Sequence, residues 1–240
     1  MTDENGVPLW GNRMYPVVTM SVLDHQLPSH THNYNLYEVT FQCVNLYDTI
    51  IHTLLTSDPS RVASWLPNND TLHRRNSLMV GLDVEWRPNY QSNGRRNPVA
   101  TLQLCIGHRC LIFQILHAPS IPRALISFLA DPNITFFGVG IRADAEKLLE
   151  DYNLHVANVC DLRPFAVERL SRGYYPDVSQ AGLTTLALHV LGLAVEKPQQ
   201  ITMSRWDNRC LTAEQVQYAT IDAYLSYEIG RQLSDPSAIM

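Results

Sequence analysis

A chain of 240 residues, 45% hydrophobic and 17% charged, has the make-up of a globular protein long enough to bury a sizeable core. Its net charge of −5 is not the basic footprint of a protein that coats nucleic acid. Its longest apolar runs, such as Leu111 to Ile115, are far too short to span a bilayer.

Residues 1–33 are rich in Pro, Asn, His and Ser, show no sustained period and read as a flexible N-terminal arm. Their first residues carry acid rather than a basic segment before an apolar one, so no secretory signal is expected. Cys43, Cys105, Cys110, Cys160 and Cys210 are scattered without a CxxC pair, which fits reduced thiols in the nucleus or cytoplasm. His30, His32 and Cys43 fit no usual zinc spacing, and a polar arm is the plainer reading. The domain proper is expected over 34–235.

Two β-rich runs, 34–42 and 47–56, predict a hairpin, and Asp58-Pro59 opens a short helix through Trp65. Further strands are predicted at 78–86, 98–106, 109–115 and 134–139, with a tight turn at Gly107-His108. Helices are predicted at 121–130, 142–152, 181–192 and 212–232. Strands in hairpins followed by strand–helix alternation give an α/β fold, a mixed β-sheet flanked by helices.

Within the predicted strand 78–86, GLDVEW places Asp83 and Glu85 on one face, with Leu82, Val84 and Trp86 on the other. Two carboxylates about 4 Å apart repel by roughly 4 kcal/mol at an effective dielectric near 20. The pair is either a solvated strand edge or a site for a hard divalent cation. In FFGVGIRADAEKLLEDY, an apolar strand ends at Gly138 and Gly140, and the following helix carries Asp144 in its first turn. Alone, that acid reads as a partner of the helix dipole. Thr212 and Gln215 form a capping box for the last helix, on which Tyr218 and Asp222 share a face. The helix is apolar on most sides, so Asp222 is expected to be buried, and no Lys or Arg lies within one turn of it. A metal ion would supply the missing charge.

Taken in order, GLDVEW, GVGIRAD and YATIDA resemble the three motifs of the DEDDy-type 3′–5′ exonucleases, in particular the small plant Werner-syndrome-like members. The resemblance runs from about residue 34 to 232 and takes in Leu183, Leu186, Leu191, Gly192 and Trp206. It implies a ribonuclease H-like fold in which Asp83, Glu85, Asp144 and Asp222 hold two Mg²⁺ or Mn²⁺ ions about 3.5–4 Å apart. In that scheme the ions acidify a water for in-line attack and stabilise the leaving 3′-oxygen, while Tyr218 orients the water. Four site acids would then account for −4 of the net charge of −5.

The resemblance further implies substrate contacts near the first motif. Leu82 and Trp86 are candidates for wedging terminal bases, and the main chain around Val84 for the terminal sugar. By alternation alone, Trp86 is the better core residue. Arg142, beside the second motif, and Arg87, Arg95 and Arg96, in the loop after the first, are candidates for phosphate contacts, with solvated loop arginines the default reading for Arg95 and Arg96. Lys197 and Arg205 are candidates to line the path of the strand, and Tyr174 and Tyr175 are either rim stacking residues or ordinary loop packing. Removing an acid such as Asp83 or Asp222 should relieve repulsion and leave metal-free stability unchanged or raised.

The implied activity is release of nucleoside 5′-monophosphates from a 3′ end of single-stranded or 3′-recessed DNA, or of RNA. A ribonuclease D-like RNA trimmer shares the five residues, and a non-catalytic nucleic-acid-binding scaffold is the reading from another class. No membrane partner is expected. The polymer, a targeting protein partner, a homo-oligomer and the choice between nucleus and cytoplasm stay open at this level.

Overall fold

The computed structural model describes residues 19–24, 34–43, 46–67, 78–89, 96–170, 177–235 and 237. Most of the stretch read as an arm, with His30, His32, Arg95, Tyr174 and Tyr175, lies outside the described residues.

An eight-stranded mixed sheet runs through the molecule. Its strands are β1 (Thr19–Asp24), β2 (Tyr34–Cys43), β3 (Leu46–Thr56), β4 (Leu78–Trp86), β5 (Val99–Ile106), β6 (Arg109–Phe113), β7 (Ile134–Gly138) and β8 (Val159–Asp161). They lie in the order β1-β2-β3-β6-β5-β4-β7-β8. The predicted hairpin is β2–β3, and it joins the sheet by parallel pairing of β3 with β6. Strand β1 falls within the segment read as an arm and pairs antiparallel with β2. Backbone pairing, rather than an apolar period of its own, defines that strand. Strand β8 is only three residues long, too short to show alternation, and was not anticipated.

The described helices are α1 (Pro59–Trp65), α2 (Arg123–Leu129), α3 (Ile141–Tyr152), α4 (Leu162–Leu170), α5 (Leu183–Leu186), α6 (Gln199–Thr202) and α7 (Ala213–Ser234). The helix expected over 181–192 is α5 followed by a widened π-type turn over Ala187–Leu191. Among the described residues, no helix is long and apolar enough to cross a membrane.

Alternation along β4 divides the interior. Leu82 and Val84 join Leu102, Leu104, Ile141 and Leu148 on the side covered by α1, α2 and α3. On the opposite side α7 lies against the sheet, its Ile221, Ala223, Leu225 and Ile229 packed with Cys105, Cys110 and Phe137. The acids of β4 therefore face α7.

The approach of α7 is unusually close because β4 carries Gly81 at the crossing. A Cβ there would meet the Ala223 carbonyl oxygen at 2.0 Å and the Tyr227 amide nitrogen at 2.6 Å. One helical turn further on, Gly230 accepts the Phe137 ring, which a Cβ would meet at 2.4 Å. Buried Ala219, Ala223, Ser226 and Gly230 give α7 the small-residue face that this contact needs. The capping box read from the sequence starts the helix: the Thr212 amide donates to Gln215 Oε1 at 2.9 Å, and the Gln215 amide to Thr212 Oγ1 at 3.3 Å. Thr220, in the next turn, shares a hydrogen bond of 3.0 Å with Thr53 of β3.

Gly81→Ala should destabilise the protein by roughly 3 kcal/mol or more, at or beyond the upper end of overpacking, because backbone atoms cannot yield. Gly182→Ala is the control, since no atom of the described residues lies within 4 Å of its built Cβ. Urea unfolding of both variants checks this; equal midpoints would show that α7 does not sit against β4 as described.

Candidate metal-dependent active site

Strand β4 and helix α7 bring three acids together. One carboxylate oxygen from each of Asp83, Glu85 and Asp222 lies within 4.8 Å of the others. Glu85 is 9% and Asp222 3% exposed. Asp83 Oδ2 and Asp222 Oδ1 are buried without a hydrogen-bond partner among the described residues. Buried carboxylate oxygens that no protein donor satisfies are costly, and three hard oxygen donors around one point suit Mg²⁺ or Mn²⁺. The residues present therefore fit a divalent cation.

Asp144 stands outside that close cluster, on the first turn of α3, but near enough for its charge to act on Asp83. Its position depends on the bend between β7 and α3. Gly140 caps α3 with φ 73°, a left-handed conformation that suits glycine. Its amide donates to Asp161 Oδ2 at 3.0 Å, and the other oxygen of Asp161 accepts the Arg163 amide at 3.1 Å. Asp161 thus ties the second motif to the start of α4. The signal in the sequence is an Asp just before an apolar helical stretch, a capping pattern at Asp161-Leu162.

The electrostatics follow from crowding. At 4.8 Å and a dielectric near 20, each pair of ionised carboxylates repels by about 3.5 kcal/mol. Burial raises Asp83 well above the usual carboxylate range, with Asp222 and Asp144 adding to it. Burial likewise raises Glu85, with help from Asp83 and Asp222. Asp144 is pushed up to about 7 by burial, which Lys147 partly offsets and Asp161 reinforces.

Asp222 has a cation that local spacing did not reveal. Lys197 Nζ lies 2.5 Å from Asp222 Oδ2, an attraction of about 7 kcal/mol on the same scale. That is comparable to the two repulsions Asp222 receives. Burial still raises Asp222, against Lys197 and the Tyr218 hydroxyl. Burial works against the Lys197 ammonium, but Asp222, Tyr218 and Asp83 outweigh it and hold its pKa above the ordinary lysine value. This changes the expectation for Asp222: its removal strands a largely buried ammonium, whereas removal of Asp83 relieves repulsion and leaves Lys197 its direct contact with Asp222.

Tyr218 is fixed by neighbours from the segment before α7. Thr202 Oγ1 donates to its hydroxyl at 3.0 Å, and Trp206 packs on its ring at a centroid distance of 5.9 Å. Trp206 is fully buried, and Gln215 Nε2 donates to Ser204 Oγ at 2.9 Å, so α6 and the loop after it are fastened to α7. Burial pushes the Tyr218 phenol up to about 12, with Asp222 contributing.

Among the candidate substrate contacts, Leu82 and Val84 are 1% and 3% exposed and sit in the hydrophobic core. Their side chains are spent on packing, so the reading of Leu82 as a wedge is corrected. Trp86 packs at the edge of the same core, with Lys147 Nζ 4.0 Å from its ring centroid. Arg142 is exposed on α3. Arg87 and Arg205 reach Asp207 at 3.3 Å each, near the end of β4. Arg96, expected to be solvated, is exposed and also pairs with Glu150 and Asp151 at the end of α3.

Acids whose folded pKa lies above the unfolded value bind more protons when folded, so their contribution to stability falls as pH rises between the two values. For Asp144 that window runs from 3.8 to about 7. In EDTA, Asp83→Asn should melt above the unsubstituted protein by roughly 5 °C, the shift that about 1–2 kcal/mol produces in a chain of this size. The gain should grow as pH rises above the ordinary carboxylate range, where Asp83 of the unsubstituted protein ionises, and shrink in saturating Mg²⁺. Asp222→Asn should melt lower. Thermal scans from pH 5 to 8 check both, and a gain independent of pH would contradict the crowded-acid account.

The model of the 3′–5′ exonuclease domain family matches residues 67–236. The chain is 32% identical over 162 residues to a 3′–5′ exonuclease of Arabidopsis thaliana, covering 67% of this chain and 54% of that protein. It is 32% identical over 188 residues to the mouse bifunctional 3′–5′ exonuclease/ATP-dependent helicase WRN, covering 78% of this chain and 13% of that protein. It therefore spans about half, or much less, of the length of these relatives. The crystal structure of Escherichia coli RNase D shares the fold, with a TM-score of 0.59 at 19% identity over 75% of this chain and 43% of that one. With the ribonuclease H-like sheet and the acid cluster at its centre, the chain belongs to the 3′–5′ exonuclease family.

Proposed function

We propose that this chain is a metal-dependent exonuclease of the DEDDy type that removes nucleotides from a 3′ end as 5′-monophosphates. The observation that carries this reading is the meeting of Asp83, Glu85 and Asp222 within 4.8 Å beside Tyr218, with buried carboxylate oxygens that no donor among the described residues satisfies. Asp83, Glu85 and Asp222 would hold Mg²⁺ or Mn²⁺, and Asp144 would complete a second site. When bound, these ions supply an acidified water and neutralise charge on the leaving 3′-oxygen.

The chain's own residues do the rest. With its pKa at about 12, the Tyr218 phenol keeps its proton at neutral pH, so it orients a water by hydrogen bonding and does not act as a base. Thr202 donates to the phenol oxygen, which leaves the phenol proton to point elsewhere. Arg87 and Arg205, both paired with Asp207, offer cations to the phosphate backbone. Val84 places its main chain, not its side chain, beside the acids.

The test is a gel time course on 5′-labelled single-stranded RNA, single-stranded DNA and a 3′-recessed duplex, each with Mg²⁺, Mn²⁺ or EDTA. A metal-dependent ladder shortening from the 3′ end is expected, and the substrate degraded fastest identifies the polymer. Asp83→Ala should reduce cleavage to background. Tyr218→Phe should slow turnover roughly 100-fold, as misorientation of a reactant does, with Mn²⁺ affinity unchanged. A metal-dependent melting shift without any ladder would favour a binding scaffold instead.

A further inference from the structure

The Lys197 ammonium occupies one oxygen of an acid that the reading above assigns to metal. Its Nζ lies 2.5 Å from Asp222 Oδ2 and 5.0 Å from the Tyr218 ring centroid. The Asp222 side chain is 5% exposed, and that of Lys197 27%. The other oxygen of Asp222 and Oδ2 of Asp83 have no hydrogen-bond partner among the described residues. Among the described residues, Lys197 thus brings the one cation in direct contact with this cluster, and it reaches it from a segment outside both β4 and α7.

Its residue type bears on its role. The chain has only two lysines, Lys147 and Lys197, against 16 arginines. Lys147 lies over Trp86 on the other side of β4. An arginine fork would grip a carboxylate through two hydrogen bonds, whereas a lysine is a point charge on a flexible four-carbon stem that can be displaced and re-aimed. Lys197 also precedes Pro198, which opens the single turn of α6, so its stem starts from a loop and not from a rigid helix.

We propose that Lys197 is a built-in counter-ion that holds Asp222 while the site is free of metal and yields it on metal binding, so that the incoming cation competes with the ammonium. The proposal rests on the metal-site reading. Competition has a direction that a permanent structural ion pair does not: losing the lysine should strengthen metal binding while weakening the metal-free protein. A pair that stays closed in both states would stabilise the ligand geometry, and its loss would weaken metal binding.

Calorimetric titration of Mn²⁺ into the full chain and into Lys197→Met tests this. The variant should bind Mn²⁺ about tenfold more tightly, about 1.4 kcal/mol, because the ion no longer has to displace the ammonium, while melting at a lower temperature in EDTA. Equal or weaker binding by the variant overturns the proposal for Lys197 and leaves the metal site standing. No saturable binding by either protein overturns both. A measurement on the unsubstituted protein removes dependence on the variant's folding. With ¹⁵N-labelled lysine, the Lys197 ammonium signal, assigned against Lys147→Arg, should be present in EDTA and lost or shifted on saturation with diamagnetic Mg²⁺. A signal unmoved by Mg²⁺ overturns the proposal.

Discussion

The contact on which the site depends is the crossing of α7 over β4 at Gly81. Two residues along β4 from that glycine stands Asp83, and next to Ala223 on the helix stands Asp222, so the spacing of the acids is set by backbone meeting backbone. Such a contact admits no rotamer adjustment. It is reinforced at both ends, by Phe137 against Gly230 and by Thr53 bonded to Thr220. A ligand set built this way is positioned before any cation arrives, and preorganisation of this kind is what separates a catalytic centre from a chance cluster of surface acids.

That rigidity has an energetic consequence. Oxygens held within 4.8 Å cannot relax apart when ionised, and burial denies them water. The fold meets the strain in two ways: Lys197 lends charge to Asp222, and the remaining acids take up protons more readily than free carboxylates do. The stability lost there is recovered in the apolar layers on both faces of the sheet, where Leu82 and Val84 on one side and Ile221 and Leu225 on the other are buried.

Much of this could be read from the chain itself. Alternation in GLDVEW told which side chains face inward, and the capping box marked the start of α7 to within a residue, because both signals are local. The motif order pointed to the family, and the comparisons agree. What stayed hidden is what sequence distance conceals. Lys197 meets Asp222 only through the path of α6, Thr202 reaches Tyr218 along the same path, and Asp161 meets Gly140 through the pairing of β7 with β8. Leu82 was misassigned for a different reason: proximity to the acids in sequence suggested a substrate contact, while the pleat sends its side chain to the opposite face.

The N-terminal hairpin lies before the residues that match the family, 67–236, yet it is continuous with the catalytic sheet. Strand β3 covers the outer edge of β6, whose Cys110, Leu111, Ile112 and Phe113 are all 0% exposed, and its Thr53 hydroxyl reaches the helix that carries Asp222. A chain trimmed to the family boundary would present β6 as an open, apolar strand edge, ready to pair with another molecule.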